Sequence, residues 1–195
     1  IITEELGARM FPDGIAEVVK RVIHTTADFD YADNLAFSPD VIEQAKAALC
    51  NGATIVTDTN MALSGISKPS LTKLGAKALC LMADPDIARE AKERGVTRAV
   101  VSMEHAARLD GPLIFAVGNA PTALIRLHEL IEKGAVKPAL VIGVPVGFVN
   151  VVEAKELFIG GKTPYIIARG RKGGSNVAAA IVNALLYQLI RREGF

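Results

Sequence analysis

Short β-branched and apolar runs alternate along the chain with longer stretches whose apolar residues recur every three to four positions. That is the rhythm of an α/β protein with a largely parallel sheet. The pattern predicts strands over residues 53–57, 76–82, 98–102, 113–117, 139–142 and 165–168. Several of these are continuously apolar rather than alternating, as strands covered on both faces are. Helices are predicted between them, over 14–24, 39–50, 84–94, 121–133, 151–157 and 175–192. In the first, Ile15, Val18, Val19 and Val22 form one apolar face. The 121–133 segment has clear ends, with Pro121 at a first helical position and Gly134 after the last lysine. No internal repeat or Ser/Pro-rich linker breaks the rhythm. The expectation is a single domain over 1–195, with an open, mostly parallel sheet flanked by helices in Rossmann-like layers.

In such sheets a ligand sits outside the carboxyl ends of the strands, where strand order reverses. The residues that follow the predicted strands are therefore the informative ones. They are Asp58-Thr59-Asn60, Gly118-Asn119-Ala120-Pro121-Thr122, Gly143-Val144-Pro145-Val146-Gly147-Phe148, and Arg169-Gly170-Arg171-Lys172-Gly173-Gly174-Ser175. Four strand exits made of glycines and short polar side chains mark a site built largely of loop backbone.

Composition narrows the ligand. The 195 residues are half hydrophobic, enough for one core, and charged residues of mixed sign make up 22%, which argues against disorder. A formal net charge of +1 argues against a nucleic-acid partner held by a basic face. Seven Phe, three Tyr and no Trp offer little for base stacking. The longest weakly charged run, 135–152, is broken by Lys137, two prolines and polar or glycine residues, so no membrane span is expected. Cys50 and Cys80 belong to no C-x-x-C or zinc pattern and are expected as buried free thiols in a reduced, cytoplasmic setting. The chain opens Ile1-Ile2-Thr3 without Met or a signal-peptide pattern, from which a native N-terminus upstream of residue 1 is expected.

Nucleotide motifs fare poorly. No G-x-G-x-x-G follows a strand, and Gly160-Gly161-Lys162-Thr163 lacks the first P-loop glycine because position 156 is Glu. The 169–175 loop is different. Three cations surround three glycines and lead into a helix, a setting that favours an anion. The alternative is that Ser175 merely caps the helix and the cations are solvated; the loop alone leaves both open. Of three histidines, His128 and His105 read as packing or surface residues. His24 ends the amphipathic 14–24 helix and is followed by Thr25-Thr26. It is either a helix-stabilising charge or a proton-transfer group that titrates near neutrality. No nucleophile–base motif, H-E-x-x-H or carboxylate cluster is evident. One proton donor, several cations and glycine walls suit proton-assisted rearrangement of an organic anion better than hydrolysis or redox chemistry.

Several strings are long and chemically unusual. They are Arg21-Val22-Ile23-His24-Thr25-Thr26 with Phe37-Ser38-Pro39; Thr57-Asp58-Thr59-Asn60-Met61 with Gly65; Gly118-Asn119-Ala120-Pro121-Thr122-Ala123-Leu124; Lys137-Pro138-Ala139 through Gly143-Val144-Pro145-Val146-Gly147-Phe148-Val149; and Gly170-Arg171-Lys172-Gly173-Gly174-Ser175. In this order, over nearly the whole chain, they resemble the signature of the precorrin-8X methylmutases, or precorrin isomerases. The resemblance implies an isomerase of vitamin B12 (cobalamin) biosynthesis that moves a methyl group between neighbouring carbons of ring C of precorrin-8X or cobalt-precorrin-8. It implies no cofactor, no protein-bound metal, and a homodimer with the pocket near the subunit interface. The family's catalytic histidine falls on His24, as general acid. Substrate contacts are implied for Thr25, Thr26, Asp58, Asn60, Gly118, Asn119, Thr122, Gly147, Arg169, Arg171 and Ser175, and for the pair Thr97-Arg98 leading into a strand. Arg98, Arg169, Arg171 and Lys172 would meet the tetrapyrrole's carboxylates. The family also carries a Ser-Phe pair just before the equivalent of Ile1, whose serine is a substrate contact, and this sequence starts after it. Two other readings of the same residues are a corrinoid carrier without catalysis and a phosphate- or nucleotide-binding α/β enzyme.

Overall fold

A computed structural model describes residues 1–190. In chain order its elements are α1 (Ile2–Leu6), α2 (Ile15–Thr26), α3 (Tyr31–Asn34), β1 (Leu35–Phe37), α4 (Val41–Cys50), β2 (Thr54–Thr57), α5 (Asn60–Gly65), α6 (Lys68–Leu74) and β3 (Lys77–Leu79). There follow α7 (Pro85–Arg94), α8 (Arg98–Ala106), β4 (Leu113–Val117), α9 (Pro121–Glu132), β5 (Leu140–Gly143), α10 (Val151–Glu156), β6 (Tyr165–Ala168) and α11 (Ser175–Leu189). The strands form one sheet in the order β1-β6-β5-β4-β2-β3. Every pairing is parallel except that of β1 with β6, where Leu35 faces Ala168. From β2 the chain places β3 on one side and β4 on the other, so strand order reverses between β2 and β4.

Continuous apolar strands fit because both faces of the sheet are covered. Along β4, Leu113, Phe115 and Val117 pack into one core with α8, α9 and α10. Ile114 and Ala116 point the other way, into a core shared with α2, α4 and α11. Successive side chains of a strand alternate faces, so an unbroken apolar run is what a doubly covered strand requires. Pro121 begins α9, and Gly134, at φ +70°, follows its end and returns an N–H to the Ile131 carbonyl at 2.9 Å.

The structure departs from the sequence expectations in several places, among them the short helices α1 and α3, which no predicted element covers. Residues 98–102 form the first half of α8, not a strand: Thr97 caps the helix by accepting Val100 N–H at 3.3 Å, and Ala99, Met103 and Ala106 face the core at helical spacing. A three-residue antiparallel strand, β1, adds an edge that is too short to show in the pattern. Helices α5 and α6 occupy the stretch after β2, where none was expected. Cys50 ends α4 exposed and Cys80 is half-buried, where both were expected buried, and both are free thiols. Helix α11 ends at Leu189; the predicted continuation to 192 runs beyond residue 190, outside the described residues. No helix among the described residues is long and apolar enough to cross a membrane.

Candidate active site

The reversal point between β2 and β4 is held by one carboxylate. Asp58, 1% exposed, accepts N–H donors from Gly118 at 2.8 Å, Asn119 at 2.8 Å and Ala120 at 2.6 Å. Burial pushes its pKa above the ordinary value, while the three amides pull in the opposite direction. Gly118 is buried as well, and a Cβ there would lie 2.8 Å from the Gly174 carbonyl oxygen and the Ser175 Cα. The loops after β4 and β6 can therefore touch only because position 118 has no side chain. Asp58 and Gly118, both buried, build the frame beneath the surface. Thr59 completes the frame: its hydroxyl accepts Ala62 N–H at 3.1 Å and pairs with the Ser175 hydroxyl at 2.7 Å. Ser175 is thus not the cap of α11, a position taken by Gly174 at φ +138°.

Above this frame the loops present cations and apolar surface. Arg98, Arg169 and Arg171 are exposed, and none forms an ion pair among the described residues. Arg171 lies 5.5 Å over the Phe148 ring, and its carbonyl accepts Gly147 N–H at 3.2 Å. Phe148 is 83% exposed and Val149 76%, a concentration of apolar surface that isolated domains rarely leave uncovered. Asn60 and Asn119 are exposed at the starts of α5 and of the loop before α9. Thr97 and Thr122 meet through their hydroxyls at 3.3 Å, joining the N-terminal ends of α8 and α9 beside Arg98. Lys172 behaves differently from its neighbours. Its ammonium is held between Asp28 and Asp30, each at 2.6 Å, which raises its pKa, lowers that of Asp28, and leaves no free charge for a ligand.

His24 lies in the last turn of α2, which continues through Thr25 and Thr26. Both hydroxyls donate back into the helix, Thr25 to the Arg21 carbonyl at 2.9 Å and Thr26 to the Val22 carbonyl at 2.8 Å. Their donors are spent on ending the helix, which leaves the hydroxyl oxygens as acceptors. The His24 ring is exposed, and no hydrogen bond or ion pair engages it among the described residues. It lines a cavity of about 780 Å³ together with Glu17, Lys20, Arg21, Lys46, Tyr187 and Gln188. Helix α2 runs antiparallel to α11, since Gln188 donates to the Gly14 carbonyl at 3.0 Å while Asp28, just beyond α2, meets the Lys172 loop. His24 therefore stands at the end of α2 nearest the strand exits. No other expected site residue lines its cavity. The remaining histidines are structural: His105 pairs with Glu90 at 2.8 Å, and His128 packs edge-on to Phe158.

One residue of the site went unnoticed in the sequence. Lys155 in α10 is fully buried and donates to the carbonyls of Gly170 at 2.8 Å and Lys172 at 2.9 Å. The signal was its place on the Val151, Ala154, Lys155 stripe, which helical spacing turns inward.

The description of the family whose model matches residues 1–188 is precorrin-8X methylmutase. The chain is 50% identical to the cobalt-precorrin-8 methylmutase of Salmonella typhimurium (strain LT2) over 175 residues, covering 88% of this chain and 80% of that protein. It is 40% identical to the precorrin-8X methylmutase of Pseudomonas aeruginosa over 187 residues, covering 94% and 89%. Among solved structures, the precorrin-8x methyl mutase of Thermus thermophilus superposes with a TM-score of 0.88 at 40% identity, covering 95% of this chain and 89% of that one. The family match over nearly all of the sequence and the shared fold lead to one conclusion: the chain belongs to the precorrin-8X methylmutase family.

Proposed function

We propose that this isomerase binds the corrin precursor across the strand exits and protonates it from His24, so that a methyl group moves between neighbouring carbons of ring C. Family membership carries the reaction class, an intramolecular methyl transfer in cobalamin biosynthesis. One observation carries the location: among the described residues Arg98, Arg169 and Arg171 stand exposed without ion-pair partners at or beside the strand exits, and Arg171 lies over the exposed ring of Phe148. A tetrapyrrole that is apolar across its ring and rimmed with carboxylates matches that arrangement. The N-terminal ends of α9 and α11 add partial positive charge on the same side.

Protonation by His24 withdraws electron density from the conjugated ring and makes the migrating carbon bond easier to shift. The proton returns once the methyl group has moved, so product and substrate share one composition. None of the three arginines lines the His24 cavity, and Met61, Phe148 and Val149 are exposed apolar residues. A homodimer in which the second copy covers this apolar surface and closes over the ring suits both features.

The test is to mix purified protein with cobalt-precorrin-8, and separately with cobalt-free precorrin-8X, and follow the visible spectrum. Conversion to the methyl-shifted product supports the reading. A bound spectrum without conversion marks a carrier, and an unchanged spectrum with both substrates excludes the assignment.

A further inference from the structure

A lysine ammonium buried without a carboxylate is costly, and folds keep it where its donors are used. Lys155 is 0% exposed, with no ion pair among the described residues. We propose that Lys155 is a positioning residue for substrate binding, whose ammonium pins the Arg169–Ser175 loop so that Arg169 and Arg171 are presented to the ligand's carboxylates. The inference rests on reading the strand exits as the substrate site.

The geometry ties three consecutive carbonyls. Gly170 and Lys172 accept from Lys155 Nζ at 2.8 and 2.9 Å, and between them the Arg171 carbonyl accepts Gly147 N–H at 3.2 Å. With its main chain held on both sides, Arg171 turns its side chain outward, over Phe148. Gly170 supplies the necessary turn at φ +73°. The loop continues against the β5 exit, where Gly174 N–H donates to the Val144 carbonyl at 2.8 Å. At Gly173 a Cβ would fall 2.0 Å from that same carbonyl oxygen. Lys155 thus anchors the front half of the loop and the glycines seat the back half. The Gly170 and Lys172 carbonyls would otherwise be unpaired negative dipole ends beneath a loop that must receive an anionic substrate, and the ammonium offsets both. Burial lowers the Lys155 pKa to about 8, so the ammonium form persists at neutral pH.

The experiment is a double-mutant cycle on the purified protein, with cobyrinic acid, a corrin polycarboxylate, as the probe and absorbance titration as the readout. Lys155→Met, Arg171→Ala and the double variant are compared with wild type, and KM and kcat are measured with cobalt-precorrin-8. Lys155→Met should weaken probe binding about tenfold, as loss of a charged hydrogen-bond donor does, and should raise KM while kcat stays within about twofold. In the double variant the effects should overlap rather than add, because Lys155 acts through Arg171. Additive effects, or unchanged affinity in Lys155→Met while Arg171→Ala binds weakly, would overturn the role of Lys155. Unchanged affinity in Arg171→Ala would instead overturn the site reading on which it rests. If Lys155→Met does not fold, Lys155→Gln takes its place with the same expectations, its shorter arm falling short of both carbonyls. Failure of both variants to fold would assign Lys155 to domain stability and end the proposal.

Discussion

Lys172 Nζ stands 2.6 Å from Asp28 Oδ2, a contact between positions 144 residues apart in the chain. Asp28 follows α2 directly, and its own N–H donates to Thr26 Oγ1 at 3.3 Å. The pair therefore joins the end of the His24 helix to the cationic loop after β6. A loop cation that looked available for substrate is spent on tying the end of α2, which carries His24, to the loop that carries Arg169 and Arg171.

Lys172→Met should leave the fold intact and uncouple the two surfaces. Turnover should fall several-fold with only a small change in melting temperature, since the pair is partly solvated. The pH dependence has a definite sign. The Asp28 pKa is lowered, so its contribution is present above the ordinary carboxylate value and lost as pH falls through the lowered one. The Lys172 pKa is raised, so its contribution is present below the ordinary lysine value and lost as pH rises through the raised one. The stability difference between wild type and variant should be flat from about pH 5 to about pH 9 and shrink in acid. A difference that grows on acidification would contradict the assignment.

His24→Ala should bind the corrin precursor with near wild-type affinity and lose turnover by about two to four orders of magnitude, the usual worth of a general acid. Spectral titration and single-turnover kinetics separate the two effects. Wild-type turnover in this variant would remove His24 from the chemistry.

Asp58→Ala strips the acceptor from three loop amides at the centre of the sheet's reversal point. Leaving such donors unpaired in the interior should cost about 3 kcal/mol, or about 6–12 °C in melting temperature for a chain of this size. Calorimetry checks the stability loss. Substrate affinity should fall too, because the loop that carries Asn119 and Thr122 loses its tether.

Arg169→Ala should weaken binding of the polycarboxylate mainly at low ionic strength, with the difference narrowing as salt screens exposed charges. Its main chain is held independently, through N–H donation to the Asn34 carbonyl at 2.8 Å, so the loop should keep its course. Affinity measured against salt concentration decides; a salt-independent loss would point to packing rather than charge.

Local patterning determined the layered architecture by itself. The five parallel strands lie close to their predicted positions because apolar runs bounded by turn residues can be satisfied only by burial on both faces. Placing the site at the strand exits followed from that topology, and the order of the strand-exit strings carried the family. Tertiary structure decided the work of each polar side chain. Nothing local distinguishes Asp58 from a ligand-binding carboxylate; its role depends on amides sixty residues away that arrive only when β4 pairs with β2. Residues 98–102 read as a strand from their β-branched pair, yet the Thr97 cap and the Ala99, Met103, Ala106 face made helix the form that buries more against α9 and β4. Lys155 carries the same lesson. Hydrophobic periodicity is a short-range property that the sequence displays openly, whereas the partner of a buried charge is a long-range property that exists only once the chain has folded around it.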